Sequence, residues 1–367
     1  MTEILLHVGM DKTGSSSIQQ AFADYDDGTL AYAQLGSANH SMPIQMMFRD
    51  PGDPTRALRA QGLDRAEILR RRERSRADLA AALDGARARV LISAEGVLSL
   101  KPSQLRALQA VLAGHGRSIR PLAYVRDPAG YAASAFQQDL KAGRHVFRVP
   151  GPRYATRLDP LERIFGAENV TLLPFRPSRF PGGSVVRDFA TRIGADLSRI
   201  QDRRTNESFT LPMAAALFRF NRERPELTGS PRLFRARLRL VRTLLREEAR
   251  RQARIRKRMA ARPDLSPQLE RGLHRPRFRF AASLVNEHLA PRDLRWLERR
   301  ADLAMVPSAG SESDADGITS EEQLLDISAT AATDLAPIAE RLGVTPADTS
   351  TPALMDAIFD ELLRRAG

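Results

Sequence analysis

The chain has 367 residues, enough for one large domain with appendages or for two domains. It has no cysteine, which excludes a disulfide scaffold, a thiol nucleophile and any Cys-ligated zinc or iron–sulfur centre, and its 42% hydrophobic and 28% charged content excludes disorder and fibre. The net charge of +13 arises in one segment, because residues 232–279 hold 17 Lys+Arg against 4 Asp+Glu and the remainder is balanced.

No apolar run approaches the roughly 18 residues that span a bilayer. The apolar stretch Ile4-Leu5-Leu6 follows no basic segment and is too short for a signal peptide, so a soluble cytoplasmic protein is expected. Short apolar runs then alternate with helical patterns over the first 200 residues. Strands are predicted at Glu3–Val8, Arg89–Ser93, Pro121–Arg126 and Val170–Phe175, each nearly continuous in Val, Ile, Leu or Phe, as in parallel strands covered on both faces. Helices are predicted at Ser15–Tyr25, Arg65–Ala86, Ser103–Ala113, Pro128–Lys141 and Gly183–Ile193. Pro128 suits a first helical turn, with Asp127 able to cap it.

Beyond residue 200 the pattern is helical: Leu211–Arg222, then a very basic helix with apolar residues at Phe234, Leu238, Val241 and Leu245, then Arg279–Glu298 with the single tryptophan, Trp296. Pro263, Pro267 and Pro276 interrupt the chain between the last two. Small polar and acidic residues mark 307–322 as a linker, and two short helices are expected after it. The expected organisation is an α/β core over 1–210 with a central parallel sheet flanked by helices. An Arg-rich helical segment over 211–306, the linker and a short tail over 323–367 follow.

The first strand runs into His7-Val8-Gly9-Met10-Asp11-Lys12-Thr13-Gly14-Ser15-Ser16-Ser17, a strand, a glycine-containing loop and a helix start. Gly9 and Gly14 permit tight turning, the helix start offers unpaired amides, Ser15, Ser16 and Ser17 offer hydroxyls, and Lys12 a point charge. That set suits a phosphate. It is not the nucleoside-triphosphate P-loop, which needs a lysine directly after Gly14, where Ser15 stands.

The stretch HVGMDKTGSSSIQ resembles the 5′-phosphosulfate loop of the sulfotransferases that use 3′-phosphoadenylyl sulfate (PAPS), which reads Lys-[Ser/Thr]-Gly-[Ser/Thr]-[Ser/Thr]. A second block, Tyr124-Val125-Arg126-Asp127-Pro128 through Ser134, is similar to that family's 3′-phosphate motif: an arginine ending a strand, a proline two residues on, a serine eight residues on. A fainter echo lies in Thr205-Asn206-Glu207-Ser208. The resemblance implies a P-loop-like α/β fold, with PAPS held by Lys12, Thr13, Gly14, Ser15, Ser16 and Ser17 at its 5′ side and by Arg126 and Ser134 at its 3′ side. It also implies Lys12 on the bridging oxygen, a general base, no metal, and a small-molecule, glycan or lipid acceptor.

Two residues compete as base: His40, in Gly36-Ser37-Ala38-Asn39-His40-Ser41, and Glu95, just after the second predicted strand. For residues 232–279 the readings are a cover over an anionic acceptor, peripheral contact with an anionic membrane, or a solvated helix enriched in arginine by coding bias. Sparse aromatics argue against a specific nucleic-acid partner. Two alternatives stay open: a small-molecule kinase, and a non-enzymatic module that binds membrane or nucleic acid through the basic helix.

Overall fold

The structure is a computed structural model. It describes residues 3–50, 64–85, 87–115, 118–202, 208–228, 230–261, 276–303 and 317–365. The chain divides into two compact units. The first comprises Met1–Asp127, Arg153–Thr205 and Ala290–Val306, and the second Pro128–Pro152, Asn206–Leu289 and Pro307–Gly367. Each unit thus gathers three separated stretches, whereas the segments drawn from the sequence are contiguous. Of the Thr205–Ser208 echo, only Ser208 lies among the described residues; Pro263, Pro267 and residues 307–316 of the expected linker lie outside them.

The first unit is built on a five-stranded, all-parallel sheet: β1 (Glu3–His7), β2 (Leu30–Tyr32), β3 (Arg89–Ser93), β4 (Ser118–Val125) and β5 (Thr171–Pro174), in the order β2-β3-β1-β4-β5. The α/β parallel-sheet fold expected from the strand runs is the fold observed. Its helices are α1 (Ser15–Phe22), α2 (Ser41–Phe48), α3 (Arg65–Asp84), α4 (Pro102–Ala113), α6 (Tyr154–Phe165), α7 (Val185–Ile193) and α11 (Pro291–Arg299), with α5 (Pro128–Lys141) in the second unit. β1 lies in the centre, its five residues paired with Arg89–Ser93 on one side and Ser118–Leu122 on the other. Leu5, Leu91 and Tyr124 from the strands pack with Ile18, Phe22 and Phe189 from α1 and α7.

From β1 the chain leaves toward the β3 side of the sheet, while from β4 it moves on to β5 at the opposite edge. Where successive connections part in opposite directions, an open parallel sheet forms a crevice at its strand C-termini. The loop after β1 and the residue after β4, Arg126, therefore border one crevice.

The second unit is helical. α8 (Leu211–Glu223), α9 (Pro231–Ala260), α10 (Ala282–Glu287), α12 (Glu321–Ser328), α13 (Ala332–Leu342) and α14 (Thr351–Arg364) join α5 around a core that includes Phe136, Leu217, Phe218, Leu335 and Ile358. No helix among the described residues is long and apolar enough to cross a membrane.

Several expectations are corrected. Arg279–Glu298 is two helices, α10 and α11, because Pro291 cannot continue a helix and instead opens the second one. Three α-helices, not two, follow the acidic stretch. The apolar stripe on α9 is Ala236, Leu240, Val241 and Leu244, all buried; Phe234 is 41% exposed and Leu238 and Leu245 are only half-buried. Leucines at both 238/245 and 240/244 make either stripe legible, and the core takes the one whose small Ala236 allows close packing. β2, α2 and α6 were not expected at all.

Phe136 is buried to 1% exposure among four other rings, with centroids 5.0 Å from Phe278, 5.2 Å from Phe280 and 5.9 Å from Phe147 and Phe218. Phe136→Ala should cost about 3–5 kcal/mol of stability, read as a lowered urea midpoint at unchanged slope; a loss under about 1 kcal/mol would mean that this cluster does not hold the second unit together.

Candidate functional site

β1 stays in register past its end, since the Val8 amide donates to the Leu122 carbonyl at 2.8 Å. The chain then turns sharply. Gly9 leaves room for the Ser15 and His7 side chains, because a Cβ on it would stand 2.2 Å from Ser15 Oγ and 2.9 Å from His7 Nε2, so either side chain would have to shift. Lys12 (φ 69°) and Gly14 (φ 79°) both take the left-handed conformation, and for Lys12 that is strained. Thr13 Oγ1 donates to the Met10 carbonyl at 2.6 Å and closes the turn. Gly14 stands at the N-cap of α1 and has no side chain to cap it, so the first amides of the helix open toward the crevice.

Two neighbours brace this loop within the first unit. Arg126, at the end of β4, donates from Nη1 to the Lys12 carbonyl at 2.8 Å, its guanidinium stacked over the Phe175 ring at 5.3 Å. Arg157 on α6 pairs with Asp11 at 2.8 Å. One turn earlier on the same helix, Tyr154 donates its hydroxyl to the Arg126 carbonyl.

On the β3 side the Ala94 amide donates to the His7 carbonyl at 2.8 Å, which brings Glu95 alongside the loop. Burial, with Asp11 nearby, pushes the Glu95 carboxyl above its ordinary value, and Lys12, Arg157 and a hydrogen bond from Asn39 pull the other way. Glu95, Asp11, Lys12 and Arg157 thus form one electrostatic cluster. Beside it opens a cavity of about 270 Å³ lined by Asp11, Ser41, Gln45, Glu95, Ser99 and Arg157, with Leu98 its single large apolar residue. α2 presses against this wall: a Cβ on Gly96 would meet Gln45 Nε2 at 2.7 Å and Ser41 Cβ at 2.8 Å.

Each sequence-predicted residue can now be placed. Lys12, Thr13, Gly14, Ser15, Ser16 and Ser17 form the loop and helix start. Their hydroxyls differ: Ser16 is exposed, Ser17 half-buried, and Ser15 Oγ is turned inward without a partner, beside His7 Nε2 at Gly9. Arg126 borders the loop. Ser134 is half-buried on α5, which belongs to the second unit.

His40 is fully buried against Tyr32, ring centroids 4.5 Å apart. Its Nδ1 accepts the Ser93 amide at 3.1 Å, so the ring proton sits on Nε2 and no lone pair is free to receive another. His7 Nδ1 lies 2.7 Å from Ser93 Oγ. Asp11 and Arg157 were missed. Asp11 carried a legible signal as an acid inside the glycine- and serine-containing loop, but Arg157 sits on an unexpected helix.

Comparison with protein-family models, with curated proteins and with solved structures returned no match.

Burial holds both His7 and His40 neutral, each pushed from the ordinary 6.5 down to about 4. The unfolded chain therefore binds two more protons than the folded one between those values. Stability from both groups is complete above pH 6.5 and falls as pH drops toward 4, by about 3 kcal/mol for each histidine. Urea titrations across this window should show the decline, and His7→Gln or His40→Gln should each remove about half of it; an unchanged pH slope in either variant would show that the histidine is not buried neutral.

Proposed function

We propose that the chain transfers a sulfuryl group from PAPS to a hydroxyl or amine of an acceptor. The observation that carries this reading is the position of Lys12 between two different surfaces: Arg126 and the switch-point crevice on the β4 side, Glu95 and the polar cavity on the β3 side. The lysine required after Gly14 for a nucleoside-triphosphate γ-phosphate is absent, which weighs against a kinase.

The residues present fit the nucleotide. The uncapped amides of α1, with Thr13, Gly14, Ser15, Ser16 and Ser17, would hold the 5′-phosphate, and Arg126 would hold the 3′-phosphate. Bound PAPS supplies the sulfuryl group and a phosphate that departs with the S–O bond. As the S–O bond to the phosphate breaks, the Lys12 ammonium would stabilise the negative charge left on the departing oxygen. Glu95 would take the acceptor proton as the new O–S or N–S bond forms. Its raised affinity for protons makes it a better base than an ordinary carboxylate. His40, its one lone pair committed to the Ser93 amide, serves as a brace for β3 instead.

The cavity lining narrows the acceptor. Five hydrogen-bonding or charged side chains around Glu95 and a single leucine suit a hydroxyl-rich molecule such as a carbohydrate, and a lipid chain would find little apolar wall.

Two measurements test the reading. Adenosine 3′,5′-bisphosphate should raise the melting temperature, with stabilisation of about 2.7 kcal/mol at a hundred times its Kd, and ATP with magnesium should do less; a larger shift with ATP would end the proposal. Glu95→Gln should lower turnover by about 10²–10⁴-fold and leave bisphosphate binding unchanged. In the parent enzyme kcat/KM should rise with pH through a pKa above the ordinary carboxylate value, because Glu95 acts only when ionised, and this limb should vanish in the variant.

A further inference from the structure

The 30-residue helix α9 buries its apolar face in the second unit through Ala236, Leu240, Val241, Leu244 and Ile255. Its opposite face is a row of cations. Arg232, Arg235, Arg239, Arg242, Arg246 and Lys257 are all exposed, and the first five follow one another at three- or four-residue intervals along one side of the helix. At 1.5 Å per residue the unpaired row from Arg232 to Arg246 runs about 21 Å; Arg250 and Arg254, which continue it toward Lys257, pair with Glu247. None of the six has a carboxylate partner among the described residues; Arg239 reaches only the Arg365 carbonyl, at 2.6 Å. The helix's two acids are buried and engaged elsewhere, Glu247 with Arg254 at 2.8 Å and with Arg341, Glu248 with the Thr210 amide at 3.0 Å. Like charges three or four residues apart repel one another, and among the described residues no carboxylate pairs with Arg232, Arg235, Arg239, Arg242 or Arg246.

We propose that this face is a docking track for a linear polyanion, chemically an acidic polysaccharide that carries carboxylate or sulfate groups along one strand. Straightness and narrowness favour that occupant. A single file of guanidinium forks matches a file of planar carboxylates or sulfates, each of which can accept two parallel hydrogen bonds. An anionic membrane calls for apolar side chains to sink beside the cations, and the apolar face of α9 is already buried in the unit's own core. The exposed exception, Phe234, has its ring covered by the Arg237 guanidinium at 5.4 Å. Single-stranded nucleic acid calls for aromatic platforms along the track, and Phe234 is the sole aromatic on this helix. The inference stands apart from the sulfuryl-transfer reading, since every residue in it belongs to the second unit.

The test uses the full chain and fluorescein-labelled polygalacturonate, followed by anisotropy at low and at moderate salt. Binding should weaken steeply between about 50 and 200 mM salt. The triple variant Arg235→Gln/Arg242→Gln/Arg246→Gln should weaken it at least about tenfold and flatten the salt dependence. The triple variant Arg65→Gln/Arg70→Gln/Arg74→Gln, which removes the same charge from α3, should bind as the parent does. Arg242→Glu alone should reproduce part of the loss, which guards against misfolding of the triple. Lys12→Ala should also bind as the parent does, so failure here and failure of the nucleotide reading are separate results. Equal losses from the α9 and α3 triples would overturn the proposal. So would tighter binding to phosphatidylserine vesicles or to oligothymidylate than to polygalacturonate.

Discussion

The site depends on how the chain leaves β1. The strand is held on both sides to its last residue, by the Ala94 amide on its His7 carbonyl and by the Val8 amide reaching across to Leu122. The loop that follows must therefore turn within a few residues, between two hydrogen-bonded strand ends. That confinement forces Lys12 into a left-handed backbone at a cost of about 1–2 kcal/mol. The Arg126 hydrogen bond to the Lys12 carbonyl offsets it, and the strain persists because its surroundings over-determine it.

Beneath the loop lies a buried polar layer that an apolar core would not tolerate by default. Ser93 engages two histidines at once, His7 through its hydroxyl and His40 through its amide. Both rings are left with an unpartnered Nε2, and Ser15 Oγ is unpartnered as well. Unsatisfied buried polar atoms of this kind cost free energy that ordinary packing would avoid. Under this one loop three such atoms lie together, while β1 and β3 are otherwise lined by Leu, Ile and Val.

What was legible in the sequence follows from how strongly local chemistry dictates geometry. β1 and β3 are unbroken apolar runs, and the Gly9-to-Ser17 loop needs its glycines and hydroxyls wherever it occurs. β2 has three residues and gains its place only by pairing with β3 at the sheet edge. α2 and α6 contain Pro43 and Pro160, which break the helical period that the eye follows. Missing α6 meant missing Arg157, and missing α2 concealed that its Ser41 and Gln45 line the cavity. Glu95 was legible by position after a strand, but its neighbours and its shifted ionisation arise only when three strand ends converge. The choice between His40 and Glu95 likewise turns on one backbone amide, Ser93, which no side-chain pattern reveals.

Tyr154 and Arg157 lie one helical turn apart and reach two different targets, the end of β4 and the loop after β1. Arg153, immediately before them, is itself left-handed, with φ of 57°. The first turn of α6 therefore behaves as a fixed-pitch gauge. One residue added between Tyr154 and Arg157 would rotate one contact by about 100° against the other. Evolution cannot re-space this first turn without releasing either the strand end or the loop.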